Sequence, residues 1–130
     1  MKQTFLEISP HGWHFDLNPS LALIRASGED ARAFLHGQLT QDIIHLNENQ
    51  TSLAGYCSAK GRLYAIFNIW ADGENVYLLT QRSVAKTVIK RLRMFVLRAK
   101  VVLEDISDQY DISAWVSSNA LENQNAIQQN

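Results

Sequence analysis

Residues 62–71, RLYAIFNIWA, carry apolar side chains at both odd and even positions and run directly into Asp72-Gly73. In an extended strand successive side chains point to opposite faces. Leu63, Ala65, Phe67 and Ile69 would then share one face, with Tyr64, Ile66 and Trp70 on the other. A strand apolar on both sides predicts an interior position with both faces covered. Asp-Gly is a strong two-residue hairpin signal and predicts an antiparallel partner over 75–80. On the other side, residues 53–58 predict a third strand, joined through Ala59-Lys60-Gly61, where Gly61 permits a tight connection.

Around this three-stranded unit the chain alternates between strand and helix patterns. Residues 20–26 (SLALIRA) are short and apolar, as expected of a buried strand. Ser27 and Asp30 then have the spacing of a capping box, predicting a helix with Ser27 as N-cap. Ala31, Phe34, Leu35 and Leu39 form its apolar stripe, and it should end near Gly37. A second helix is predicted over 83–95, with Val84, Val88, Leu92 and Phe95 on the core side and Arg82, Lys86, Lys90 and Arg93 on another face. Strands are expected at 99–103 and 110–116. The pattern predicts an α+β domain, a mainly antiparallel mixed sheet with two packed helices. Residues 1–116 read as the domain, the N-terminal portion of a larger protein. Residues 117–130, rich in Asn and Gln, are expected to be a disordered or truncated tail.

Composition narrows the functional classes. Apolar residues make up 46% of the 130, enough for a core. Twelve Lys and Arg face thirteen Asp and Glu, so direct nucleic-acid binding is not expected of the chain as a whole. Cys57 is the only cysteine, which excludes an internal disulfide and fits a reducing compartment. The chain shows neither a signal-peptide pattern nor a membrane-length apolar run, so a cytoplasmic location without membrane partners is expected.

Seven of the twelve basic residues fall between Arg82 and Lys100 with no acid among them. Such a stripe suits a phosphate, polyglutamate or RNA contact, although a solvated helix face is the simpler and favoured reading. His11, His14, His36 and His45 lack metal-ligand spacing, so no metal site is expected. Cys57 in an apolar strand reads as a core thiol, with Lys60 and Arg62 the only nearby cations in sequence. No phosphate-binding loop, dinucleotide fingerprint or nucleophile–base pair is present.

Two blocks carry a family resemblance: FLHGQLTQDI at 34–43, and LAGYCSAKGRL at 53–63 followed by the apolar strand, Asp72-Gly73 and Tyr77-Leu78-Leu79. In order and spacing, from Leu21 to Leu103, they resemble the N-terminal domain of YgfZ-type proteins. These belong to the superfamily of the glycine-cleavage T-protein, an aminomethyltransferase. The resemblance implies a domain forming one wall of a tetrahydrofolate cavity, in a protein linked to iron–sulfur protein maturation and tRNA modification. It also implies partners among iron–sulfur or tRNA-modifying enzymes. Tyr56, Tyr64 and Trp70 could then offer flat faces to a pterin, and Lys60, Gly61 and Arg62 a turn meeting its carboxylates. Core packing and an ordinary polar turn remain the simpler readings of the same residues. Gln38, Thr40 and Asp42 either cap the first helix or brace the loop after it.

The chain departs from the T-protein pattern at one chemically important place. Gly-x-x-Asp-Asp in that family matches Gly61-Arg62-Leu63-Tyr64-Ala65 here, without either carboxylate. Proton transfer at folate nitrogen needs a positioned acid or base, so no catalytic residue is expected. The KGCYxGQE run of YgfZ-type proteins is not found in these 130 residues. Two alternatives stand beside a non-catalytic folate-binding accessory role: aminomethyltransferase-like one-carbon transfer, and a basic-helix module contacting RNA or a protein.

Overall fold

The computed structural model describes residues 4–9, 12–117 and 123–129, with side chains over 16–113. Two antiparallel sheets organise it. The larger is built from β3 (Leu21–Ser27), β4 (Ser52–Cys57), β5 (Leu63–Asp72), β6 (Asn75–Gln81) and β7 (Val102–Asp105), in the order β4-β5-β6-β3-β7. The smaller contains β1 (Thr4–Ser9), β2 (Gly12–Asp16), β8 (Tyr110–Ser117) and β9 (Asn123–Gln129), in the order β1-β2-β8-β9. Helices α1 (Ala31–Gln38) and α2 (Arg82–Phe95) pack on one face of the larger sheet. The α+β class expected from the sequence is therefore present, with every strand pairing antiparallel.

The β5–β6 hairpin forms where its turn signal predicts, with Gly73-Glu74 rather than Asp72-Gly73 as the two loop residues. Asp72 pairs with Asn75, Trp70 with Tyr77 and Asn68 with Leu79, while Gly73 takes a positive φ of 61°. Ala65, Phe67, Ile69 and Ala71 point into the main core, where they meet Leu35 and Ile43 from the first helical region and Ala85, Val88, Ile89 and Leu92 from α2. Full burial of residues such as Phe67, Leu35 and Leu92 supplies most of the drive for this layer. A second, smaller cluster lies across the opposite face, where Leu23 and Leu79 meet Ile106 and Ile112.

Several expectations need correction. β5 is not covered on both faces: Ile66 is 56% exposed, against 0% for its neighbour Phe67. The second cluster covers the β3–β6 side of that face and reaches β5 at Trp70, so the face stays open around Leu53, Leu63 and Ile66. Ser27 does not cap α1. The N-cap is Asp30, without a side-chain cap bond, because its carboxylate accepts instead from the Lys100 backbone N–H at 2.7 Å. Gly28 makes this approach possible. Its φ is 115°, and a Cβ there would lie 2.1 Å from the Lys100 carbonyl oxygen. The same tether delays the following strand, so pairing with β3 begins at Val102 opposite Ser27 rather than at 99. Phe95 leaves the core stripe: α2 ends there, Val96 turns to extended geometry and packs inward, and Phe95 is 54% exposed.

Strands β1 and β2 had no counterpart in the sequence reading. Of the tail expected from 117 onward, residues 118–122 and 130 lie outside the described residues. Residues Asn123–Gln129 run as β9, with backbone pairing to β8 from Tyr110 through Val116. Asn18 links the two sheets. Its side chain accepts from Ile112 N–H and donates to the Tyr110 carbonyl, while its own carbonyl accepts from Arg82 Nε.

Candidate functional site: an open sheet face with a basic turn at one end and an aromatic cleft at the other

The site residues suggested by sequence divide according to the faces of β5. A register shift between Tyr56 and Cys57 places Cys57 opposite Leu63 and Tyr56 opposite Ala65, leaving Tyr64 as an extra residue on β5. Such a bulge re-aims side chains. Here Tyr64 packs against the helix-side core beside Tyr56, the ring centres 5.6 Å apart. Arg91 of α2 places its guanidinium 4.2 Å from the Tyr64 ring centre. Tyr56 is only 4% exposed. Burial raises its phenol above the usual pKa, with Arg91 opposing the shift and Tyr64 adding to it. Tyr56 and Tyr64 are thus members of a packed, cation-capped pair.

The opposite face presents a different surface. Leu53, Leu63 and Ile66 are 64%, 51% and 56% exposed. Leu53 pairs with Asn68, Gly55 with Ile66 and Cys57 with Leu63, so these residues form one patch across β4 and β5. Gly55 keeps its middle flat, since a Cβ there would sit 3.2 Å from the Leu63 side chain and 3.4 Å from the Thr40 hydroxyl. Lys60, Gly61 and Arg62 are exposed at the end of this patch. Their turn is held by Ser58, whose hydroxyl and carbonyl accept from Arg62 and Gly61 N–H. Gly61 adopts a φ of 81° with open space around it. Cys57 is a half-buried free thiol.

Trp70 lies six residues beyond Tyr64, about 20 Å along the strand, and does not join the other suggested residues. It stacks on Tyr77, its cross-strand partner, with ring centres 5.5 Å apart and planes inclined by 14°. Together with Leu23, Glu48, Asn49, Ala71, Asp72 and Tyr110 these rings line a cleft of about 420 Å³. Burial and the neighbouring Tyr110 push the Tyr77 phenol above its usual pKa; Arg25 and the Asn75 hydrogen bond oppose this, and Asp72 adds to it. The sequence reading missed Glu48, Asp72, Tyr77 and Tyr110 here. Counting from Asp72-Gly73 as the loop residues would set Trp70 opposite Asn75; the observed loop, Gly73-Glu74, brings Tyr77 there instead, and no local signal brings in Glu48 or Tyr110.

The GQLTQD block braces the chain. Thr40 exchanges hydrogen bonds with the Gly55 backbone, its hydroxyl accepting at 2.8 Å, and Gln41 donates to the Leu53 carbonyl. Asp42 accepts from the His45 ring at 2.8 Å and from His45 N–H. These bonds hold its carboxyl below the usual pKa range, the ring contact foremost. His36 Nδ1 accepts from Ile43 N–H. Among the described residues no group of three metal-ligating side chains occurs, and no helix is long and apolar enough to cross a membrane.

The basic stripe of α2 is partly consumed by the fold. Arg82 donates to the Asn18 carbonyl, Arg93 to the Leu103 carbonyl, Arg91 covers Tyr64 and Lys100 pairs with Glu29. Lys86, Lys90 and Arg98 remain exposed along the helix and the segment after it.

No protein-family model matches the chain. It is 32% identical over 89 residues to the tRNA-modifying protein YgfZ of Vibrio vulnificus strain YJ016, covering 68% of this chain and 27% of that protein. It is likewise 32% identical over 91 residues to YgfZ of Aliivibrio fischeri strain MJ11, covering 70% and 28%. The chain therefore spans little more than a quarter of the curated relatives it matches. Its structure superposes on the aminomethyltransferase T of the glycine cleavage system from Bartonella henselae with a TM-score of 0.73, over 81% of this chain and 28% of that one, at 16% identity. Sequence and fold together make this chain a YgfZ-type relative, built on the fold it shares with the glycine-cleavage aminomethyltransferase T.

Proposed function

We propose that the chain supplies one wall of a tetrahydrofolate-binding cavity in a YgfZ-like protein that serves tRNA modification without transferring one-carbon units itself. The observation that carries this reading is the open β4–β5 face, apolar at Leu53, Leu63 and Ile66 although β5 is an interior strand of its sheet. A flat heterocycle gains by covering such a surface. Lys60 and Arg62, at its rim, offer cations to the glutamate tail. The residues present fit the group: a flat apolar bed, a narrow glycine centre and a basic end.

The name of the relatives, tRNA-modifying protein, supports the cellular role. The link to iron–sulfur protein maturation, and partners among iron–sulfur or tRNA-modifying enzymes, follow from the resemblance and belong to the same proposal. The absence of turnover is supported by Tyr64 and Ala65, which stand where the T-protein pattern has two aspartates. Tyr64 is covered by Arg91 and Ala65 is 7% exposed in the core, so neither offers an acid to a ligand.

Tetrahydrofolate at one hundred times its Kd should stabilise the protein by about 2.7 kcal/mol, raising Tm by several degrees. Ile66→Asp should abolish that increase while leaving the ligand-free Tm nearly unchanged. An unshifted Tm at saturating folate would remove the proposal.

A further inference from the structure

We propose that the cleft beside Trp70 and Tyr77 binds a guanidinium group, the side chain of an arginine on a protein partner. The inference goes beyond folate binding and does not depend on it, since the cleft lies at the far end of β5 from Lys60 and Arg62.

Three observations converge. The first is shape: the cleft of about 420 Å³ is lined by the stacked Trp70–Tyr77 pair and by Tyr110. Aromatic faces attract a planar cation, and arginine stacks on them more readily than lysine. The second is charge. Glu48 and Asp72 stand on the lining, both exposed, and neither has a salt-bridge partner among the described residues. The nearby cations already have hydrogen-bond or ion-pair partners of their own. Arg25 pairs with Glu104, and Arg32 donates to the carbonyls of Ile43, Ile44, Leu46 and Gly73. The third is preorganisation. Glu48 is fixed by Gly73 N–H, which donates to its Oε1 at 3.0 Å and leaves Oε2 for another donor. The backbone of Asp72 is placed by the last pair of the β5–β6 ladder.

Two carboxylates without a salt-bridge partner among the described residues favour a cation over a neutral heterocycle and repel phosphate. A guanidinium satisfies all parts together: its plane lies along the rings and its N–H fork meets the carboxylates.

The test uses the full chain and 15N-labelled tryptophan, with the Trp70 indole signal assigned through Trp70→Phe. Titrants are a short blocked arginine–glycine peptide, its citrulline counterpart and its lysine counterpart. Citrulline keeps the planar N–H edge and loses the charge. The expected result is a saturable shift of the Trp70 signal by the arginine peptide, with citrulline at least ten-fold weaker and lysine intermediate. Glu48→Gln and Asp72→Asn, which retain size and hydrogen-bonding oxygens, should each weaken the arginine peptide several-fold, and together abolish it. Equal binding of citrulline would overturn the guanidinium assignment. So would an unchanged affinity in the double variant with a native-like spectrum, or no shift at millimolar peptide.

Discussion

Arg91 holds its guanidinium 4.2 Å above the ring of Tyr64, joining α2 to the bulge of β5. At an exposed site a cation–π contact contributes about 0.5–1 kcal/mol. Arg91→Ala should lower unfolding free energy by that amount, and Tyr64→Leu combined with it should show coupling of similar size in a urea-denaturation cycle. Strict additivity would mean that the two side chains are merely adjacent.

The two faces of β5 make opposite demands on neighbouring residues. Phe67→Ala should cost about 3–5 kcal/mol, because the ring is fully buried between sheet and helices. Ile66→Ala should change stability by about 0.5 kcal/mol or less. The pair is read by chemical denaturation in the absence of ligand. A large loss at Ile66 would show that its face is already covered in the isolated chain.

Gly28 and Gly61 both have positive φ, at 115° and 81°, but only Gly28 is crowded. Gly61→Ala should cost about 1–2 kcal/mol from backbone conformation alone. Gly28→Ala must also displace the Lys100 carbonyl, and should cost clearly more. Equal costs from thermal melts would contradict the close approach of the α1 entry to the segment before β7.

Asp42 supplies a pH dependence whose sign follows from its depressed pKa. Its contribution is present above the unfolded carboxylate value, about 3.9, and is lost as pH falls through the lower folded value. Asp42→Asn should therefore flatten the acid side of the Tm–pH curve below about pH 4. His45→Gln should have the same direction of effect, since the His45 ring makes the largest contribution to the shift. An unchanged acid limb in both variants would show that the exposed pair contributes nothing in solution.

The sequence by itself determined the elements whose signals are local. The Asp-Gly signal located the β5–β6 hairpin, while its register, with Gly73-Glu74 as the loop, was decided in the fold. Apolar periodicity located α1 and α2, because turn chemistry and side-chain alternation act between residues close in the chain; the FLHGQLTQDI and LAGYCSAKGRL blocks carried the resemblance to YgfZ-type proteins. Tertiary structure alone decided which face of β5 is covered. Apolar residues at every position of 63–67 look alike until helices are seen on one side and the smaller cluster on part of the other. It also decided that Asp30 serves Lys100 rather than α1, that the bulge turns Tyr64 toward Arg91, and that Trp70 joins Tyr77, Glu48 and Asp72 away from Lys60 and Arg62. Each of these depends on groups brought together from distant parts of the chain, and their competition for one hydrogen bond or one patch of apolar surface has no signature in local spacing.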